Sequence, residues 1–243
     1  MNTRENPLLL QITLLGKGRI RLVGIDAAKP KTIYFEREKR VDTEAVIHIA
    51  MPITPQKMHV KVFKKGAVSL TTKLLPLPTK AVGISAACAG FITHASELAE
   101  HASYLGDGVY ANERGDFPVE FVPKLYSMEG EPIGGPAKVN RASGYITINA
   151  PLFRTYSVPV RMFILLHEWM HHEQNSGDET KVDLHALQVY LGLGFPKLEV
   201  MNATAGIFQD RPALLKRVEI LYEYLRKYQE NPTCNQKFNC AIA

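Results

Sequence analysis

The hydrophobic pattern of this chain changes period near residue 78, and a single layer of structure cannot satisfy both halves. Before that point apolar residues come in short alternating runs at 8–14, 19–24, 32–35, 45–50, 59–63 and 68–74, each bounded by Gly, Pro, Lys or Asp. Strand side chains alternate between faces, so period two between turn formers reads as the strands of a small antiparallel sandwich or partial barrel. Leu75-Pro76-Leu77-Pro78-Thr79-Lys80 reads as a stiff linker. The expectation is an α+β chain: an antiparallel β module at 1–78, followed by a mixed domain at 79–243.

Charge divides at the same place. Residues 1–80 hold 15 Lys and Arg against 6 Asp and Glu, and residues 81–243 hold 14 against 18. A basic sheet offers a surface to nucleic acid or to an acidic partner, but the aromatics that would stack bases are scarce, only Tyr34, Phe35 and Phe63. That argues against nucleic acid, and leaves open a solvated sheet face with lysines guarding its edges or docking in a homo-oligomer or a larger protein assembly. With 243 residues, 46% of them hydrophobic, the chain can bury a core without covalent staples. The apolar runs fall far short of the ~20 residues a membrane helix needs, and the N-terminus lacks a secretory apolar stretch. Cys88, Cys234 and Cys240 form neither a disulfide framework nor a zinc-site spacing. The expected setting is reducing and cytoplasmic, with Cys88 buried in a helix.

Past the linker the spacing turns helical. Ile84, Cys88, Phe91, Ile92, Ala95, Leu98 and Ala102 mark a backing helix within 83–105. Strand-like runs follow at 119–126 and 144–150, separated by a Gly/Pro-rich stretch that reads as a long hairpin loop. Ser157 is a good N-cap and Pro159 suits a first turn, so a helix is expected through 161–174, broken at Asn175-Ser176-Gly177. A second helix is expected at 178–191 and a last amphipathic one from Asp210 to about Tyr228.

The chemistry is concentrated in the first of these two helices, in Phe163-Ile-Leu-Leu-His167-Glu168-Trp169-Met170-His171. Residues one turn apart share a helix face, so His167 and His171 can reach one ion. Glu168, turned about 100° around the axis, can touch a water on that ion without ligating it, the position of a general base. A third protein ligand leaves one position open for water. Glu179 supplies it in the favoured reading, with Asp183 one turn later accepting the N–H of a ligand histidine. Two alternatives stay open: Asp183 as the ligand, and Glu179 as part of a capping box begun by Ser176. His185 is a candidate donor to the oxyanion, with Tyr156 and Tyr190 weaker ones. His48, His59, His94 and His101 have no partner spacing and read as structural.

His167-Glu168-Trp169-Met170-His171 followed by Glu179-Thr-Lys-Val-Asp183 resembles the HExxH plus ExxxD signature of gluzincin zinc metallopeptidases, across residues 81–195. The metzincin pattern fails, because Gln174 and Gly177 stand where it requires Gly and His. The resemblance implies a zincin fold with a backing helix, a mixed sheet whose edge strand binds extended peptide, an active-site helix and a glutamate-bearing helix. It implies a hydrolase holding Zn2+ on His167, His171 and Glu179, with Glu168 as general base and a peptide or protein as substrate. The run 144–150 is the expected substrate-binding edge. A weaker likeness, of layout alone, is to a tailed-phage virion component such as a tail or connector ring subunit. In that alternative the metal is a folding clamp and the location is the virion.

Overall fold

The computed structural model describes residues 7–77, 84–127, 129–207 and 211–230. Cys234, Cys240 and residues 78–80 of the expected linker lie outside them. Among the described residues the fold is mixed α+β, with largely antiparallel sheets and six helices. It divides into two compact units, Met1–Thr79 with Ser157–Pro159 and Gly194–Pro196, and the remainder.

The first unit is built on β1 (Leu8–Asp26), β2 (Ile33–Val41), β3 (Glu44–Met51) and β4 (Met58–Pro76). The six short runs seen in the sequence are segments of longer strands. β1 runs 19 residues and pairs antiparallel with β4 from Leu8↔Pro76 to Asp26↔Met58. On its other side β2 and β3 follow one another along the same register, Gly24↔Phe35 to Gly18↔Val41 and then Leu15↔Glu44 to Leu8↔Met51. Leu75 and Pro76 belong to β4, so the expected linker begins inside the sheet. The glycines that looked like turns are instead points of close approach. Gly16 and Gly66 have φ of 122° and 99°, and a Cβ at Gly66 would stand 2.6 Å from the Lys17 carbonyl oxygen. That conformation and that spacing exclude any side chain.

Connectivity forces the sheet to bend there. A straight strand of this length would span roughly 60 Å, yet residues 52–57 must carry the chain from one end of β1 to the other with a reach of about 25 Å. The inner face of the bend is the alternating set Leu10, Ile12, Leu14, Ile20 and Leu22, at most 4% exposed, joined by Phe35, Val41 and Ile49.

The second unit opens with α1 (Ala86–His101), capped by Ser85, whose Oγ accepts from the Cys88 N–H. Then come β5 (Gly108–Tyr110), β6 (Val119–Val122), β7 (Leu125–Tyr126), β8 (Pro132–Ile133), β9 (Ala137–Asn140) and β10 (Tyr145–Asn149). The helices α2 (Ala150–Phe153), α3 (Val158–Glu173), α4 (Glu179–Gly192), α5 (Lys197–Ile207) and α6 (Arg211–Glu230) complete it. The mixed sheet has order β5-β6-β10-β9, with β10 parallel to β6 and antiparallel to β9. This corrects the expected edge. The run 144–150 contains β10, which has a neighbour on both sides; the edge strands are β5 and β9, the latter beside β10 and inside the stretch read as a loop. The run 119–126 likewise splits between β6 and β7, which lie in different sheets.

α3 is buried from Val158 to His167 and forms the centre of this unit. Trp169 stacks on Phe91 of α1 at 4.5 Å and 11°. Glu173 accepts a 2.7 Å hydrogen bond from Ser85 Oγ, tying the end of α3 to the start of α1. Arg161 is fully buried and donates to the carbonyls of Ala99, Phe153 and Arg154 and to Ser103 Oγ, so a cation sits at the C-terminal ends of α1 and α2. Helix C-termini carry unpaired carbonyls and partial negative charge, and a guanidinium answers both. Among the described residues no helix is long and apolar enough to cross a membrane.

Candidate metal centre

α3 ends at a left-handed residue, Asn175, with φ 41°. The Ser176 N–H then reaches back to the His171 carbonyl at 3.1 Å, which closes the helix and turns the chain sharply. α4 starts at once, with Asp178 as N-cap accepting from the Lys181 N–H. The capping-box alternative is thereby removed: Asp178, not Ser176, caps the helix, and Glu179 is free to point elsewhere. It points back at α3.

The Nε2 atoms of His167 and His171 are 3.2 Å apart. Glu179 Oε1 stands 3.3 Å from His171 Nε2, and Glu179 Oε2 stands 3.4 Å from His167 Nε2. Ligands held tetrahedrally at ~2.0–2.1 Å from zinc are separated from one another by roughly 3.3–3.4 Å. The two imidazole nitrogens stand at such a spacing from each other, and each stands so from a different oxygen of the one Glu179 carboxylate, with one ligand atom from each residue lying within 4.8 Å of the others. The far ring nitrogens are also committed. His171 Nδ1 donates to the Ser176 carbonyl at 2.8 Å, and His167 Nδ1 lies 2.9 Å from Asp183 Oδ1. With the proton on Nδ1 of each ring, both Nε2 lone pairs face one point beside the Glu179 carboxylate, a point that suits a metal ion or, without one, a proton shared with that carboxylate. His167, His171 and Glu179 therefore form a group able to hold a metal ion. Asp183, 1% exposed, stands behind His167 in the orienting position.

The electrostatics of the metal-free site follow from this crowding. Burial pulls the His167 pKa down, but hydrogen bonding to Asp183 and Glu179 outweighs it and lifts the pKa to about 10. Burial opposes the ionised form of Glu179, yet the two imidazoles beside it hold its carboxyl well below the usual range. Glu168 is pushed up by burial, the direction that suits a base working near neutrality.

The site opens into a cleft of about 390 Å³ lined by His167, Glu168, His171, Glu179 and, on the facing wall, residues of β9. His185 is not among the lining residues. It lies on α4 two residues past Asp183, turned to another side of the helix, and burial lowers its pKa. Tyr190 is fully buried against Phe163 at 5.6 Å. Three cationic side chains line the cleft, Lys138, Arg141 and Arg217, and of these Arg217 of α6 is the one held by Asp183 and Glu179. Its Nε donates to Asp183 Oδ2 at 2.7 Å and its Nη2 lies 3.1 Å from Glu179 Oε2. The region of family resemblance left α6 out. A signal was present: Arg217 interrupts the buried stripe continued by Leu221 and Leu225 at one-turn spacing, and a charge on such a stripe needs a buried partner.

Searches against family models, curated proteins and solved structures returned no match.

Proposed function

We propose that this chain is a zinc-dependent metallopeptidase of gluzincin type, with a zincin-like second unit. The observation that carries the reading is the convergence of His167 Nε2, His171 Nε2 and the Glu179 carboxylate on one point, with Asp183 and the Ser176 carbonyl behind the two rings. His167, His171 and Glu179 would hold the ion, which when bound supplies Lewis acidity to polarise a scissile carbonyl and acidify a water. Glu168 would take the proton of the attacking water as its oxygen bonds the carbonyl carbon, and return it to the amine nitrogen as the C–N bond breaks. Arg217 is a fixed guanidinium on the cleft wall, held by Asp183 and Glu179, and takes the donor role first expected of His185. β9, with one edge unpaired among the described residues, offers main-chain groups to an extended peptide by strand addition.

Two variants test this together. Glu168→Gln keeps one stoichiometric metal by elemental mass spectrometry and loses about 10²–10⁴-fold in hydrolysis of an unfolded protein substrate. His167→Ala loses the metal. A Glu168→Gln protein as active as wild type would end the peptidase reading, and a wild-type protein without metal would end the metal reading as well.

A further inference from the structure

The cleft beside the metal centre carries a charge that its own part of the chain does not. Residues 81–243 hold 14 Lys and Arg against 18 Asp and Glu, yet three cations, Lys138, Arg141 and Arg217, line this one hollow. The two acids among the lining residues, Glu168 and Glu179, both have a task at the centre itself. Arg217 is held by Asp183 and Glu179. Lys138 and Arg141 are the charges left over, on the wall where a peptide would lie.

Arg141 follows β9 directly. Its backbone carbonyl accepts from Nδ1 of His172 at 2.7 Å, which ties the residue to the end of α3. Its guanidinium lies over Gly177, in the turn between α3 and α4: a Cβ at Gly177 would stand 2.9 Å from Arg141 Nη1. The φ angle of Gly177 is not positive, so its backbone does not require glycine. What occupies the room of a side chain there is the guanidinium. Among the described residues Arg141 forms no ion pair. Lys138 stands on β9 itself, paired with Thr147 of β10. Its ammonium donates to the Tyr126 carbonyl and has two further N–H groups to give. An unpaired guanidinium at the end of the edge strand, with an ammonium beside it, suits a carboxylate, which arginine holds by two parallel N–H···O bonds.

We propose that the substrate presents a carboxylate, on a Glu or Asp side chain near the scissile bond or at the end of the peptide, and that Arg141 binds it with help from Lys138. This rests on the peptidase reading and narrows it to acidic peptides. Arg141 is then a specificity-determining residue, in contact with substrate but not with the reacting atoms. Positive charge gathered in one cleft of an otherwise acidic half concentrates such a ligand where it is cut.

Three peptides of otherwise identical alanine-rich sequence test this. One has a central Glu and an amidated end, one has Gln in its place and an amidated end, and the third is the Gln peptide with a free terminal carboxylate. Binding is measured by fluorescence anisotropy on zinc-loaded Glu168→Gln, which holds peptide without cutting it, and hydrolysis on zinc-loaded wild type. A carboxylate peptide is expected to bind about 10–100-fold more tightly than the amidated Gln peptide and to gain as much in kcat/KM. Which of the two gains identifies the source of the carboxylate. Adding Arg141→Ala erases the difference, and Arg141→Glu reverses it in favour of a peptide with a central Lys, a swap that a merely structural arginine would not give. Elemental mass spectrometry and circular dichroism establish that each variant keeps its metal and its fold. Equal binding of all three peptides, or an advantage that survives in Arg141→Ala, would overturn the proposal. Tighter binding of a carboxylate peptide with no hydrolysis by wild type would uphold the carboxylate site and end the peptidase reading, so the two failures are told apart.

Discussion

The imidazole of His167 has Asp183 2.9 Å from Nδ1 and turns Nε2 toward His171 and Glu179, and the first neighbour governs what Nε2 can hold. Asp183→Asn removes the carboxylate that fixes this tautomer. Removing a partner of this kind costs roughly 10–100-fold in metal affinity, so the variant should bind zinc that much more weakly, by competition with a chelator, while its helical circular dichroism stays unchanged. The same side chain makes the metal-free protein sensitive to pH. A histidine whose folded pKa is raised from 6.5 to about 10 contributes stability that is fully present below pH 6.5 and is lost as pH rises toward 10. The melting temperature of chelator-treated protein should therefore fall across that window. Metal displaces the proton, so loaded protein lacks this decline, and zinc uptake at neutral pH should release protons measurable by calorimetry in two buffers.

At the scale of elements, Arg161 is the side chain whose loss reaches furthest. Arg161→Met strips the donors from carbonyls at the ends of α1 and α2, and unsatisfied buried acceptors cost about 1–3 kcal/mol each before relaxation. A loss of about 3 kcal/mol in urea unfolding is expected, with Arg161→Lys intermediate because it keeps the charge but not the fork. Long periodic elements were legible from residues alone. α1, α3, α4 and α6 were legible through apolar spacing and through breakers such as Gly177, whereas the caps Ser85 and Asp178 were not read in the sequence. α5 did not, because Lys197–Ile207 has little apolar periodicity and contains Gly206. β9 did not either, because four residues among glycines and prolines carry no pattern, and its strand character comes from pairing with β10. The site was legible where its members share a helix face, at His167, Glu168 and His171, or lie one turn apart, at Glu179 and Asp183. Arg217 showed in the sequence only as a charge on an apolar stripe, and which residues it meets stayed hidden because that relation is purely tertiary. The long strands of the first unit were read as short ones because glycine looks the same in sequence whether the backbone turns or merely bends.

For the whole molecule, the metal centre lies within one compact unit and the bent sheet within the other. Metal bound at 100 times its dissociation constant stabilises the unit that holds it by about 2.7 kcal/mol and leaves a unit without a site unaffected. Scanning calorimetry should therefore resolve two transitions, of which chelation lowers only one. A single transition that shifts as a whole would mean that the units melt together.

The register of the N-terminal sheet also governs the order in which it can form. Leu8 pairs with Pro76, so the first strand synthesised finds its full-length neighbour only when the last strand of the unit exists. Pairings this distant in sequence form slowly. While the ribosome extends the chain, β1 has only β2 and β3 to shield it, and one whole flank stays open until β4 emerges. A nascent chain stalled before Met58 would present that flank to chaperones or to its neighbours on the same message.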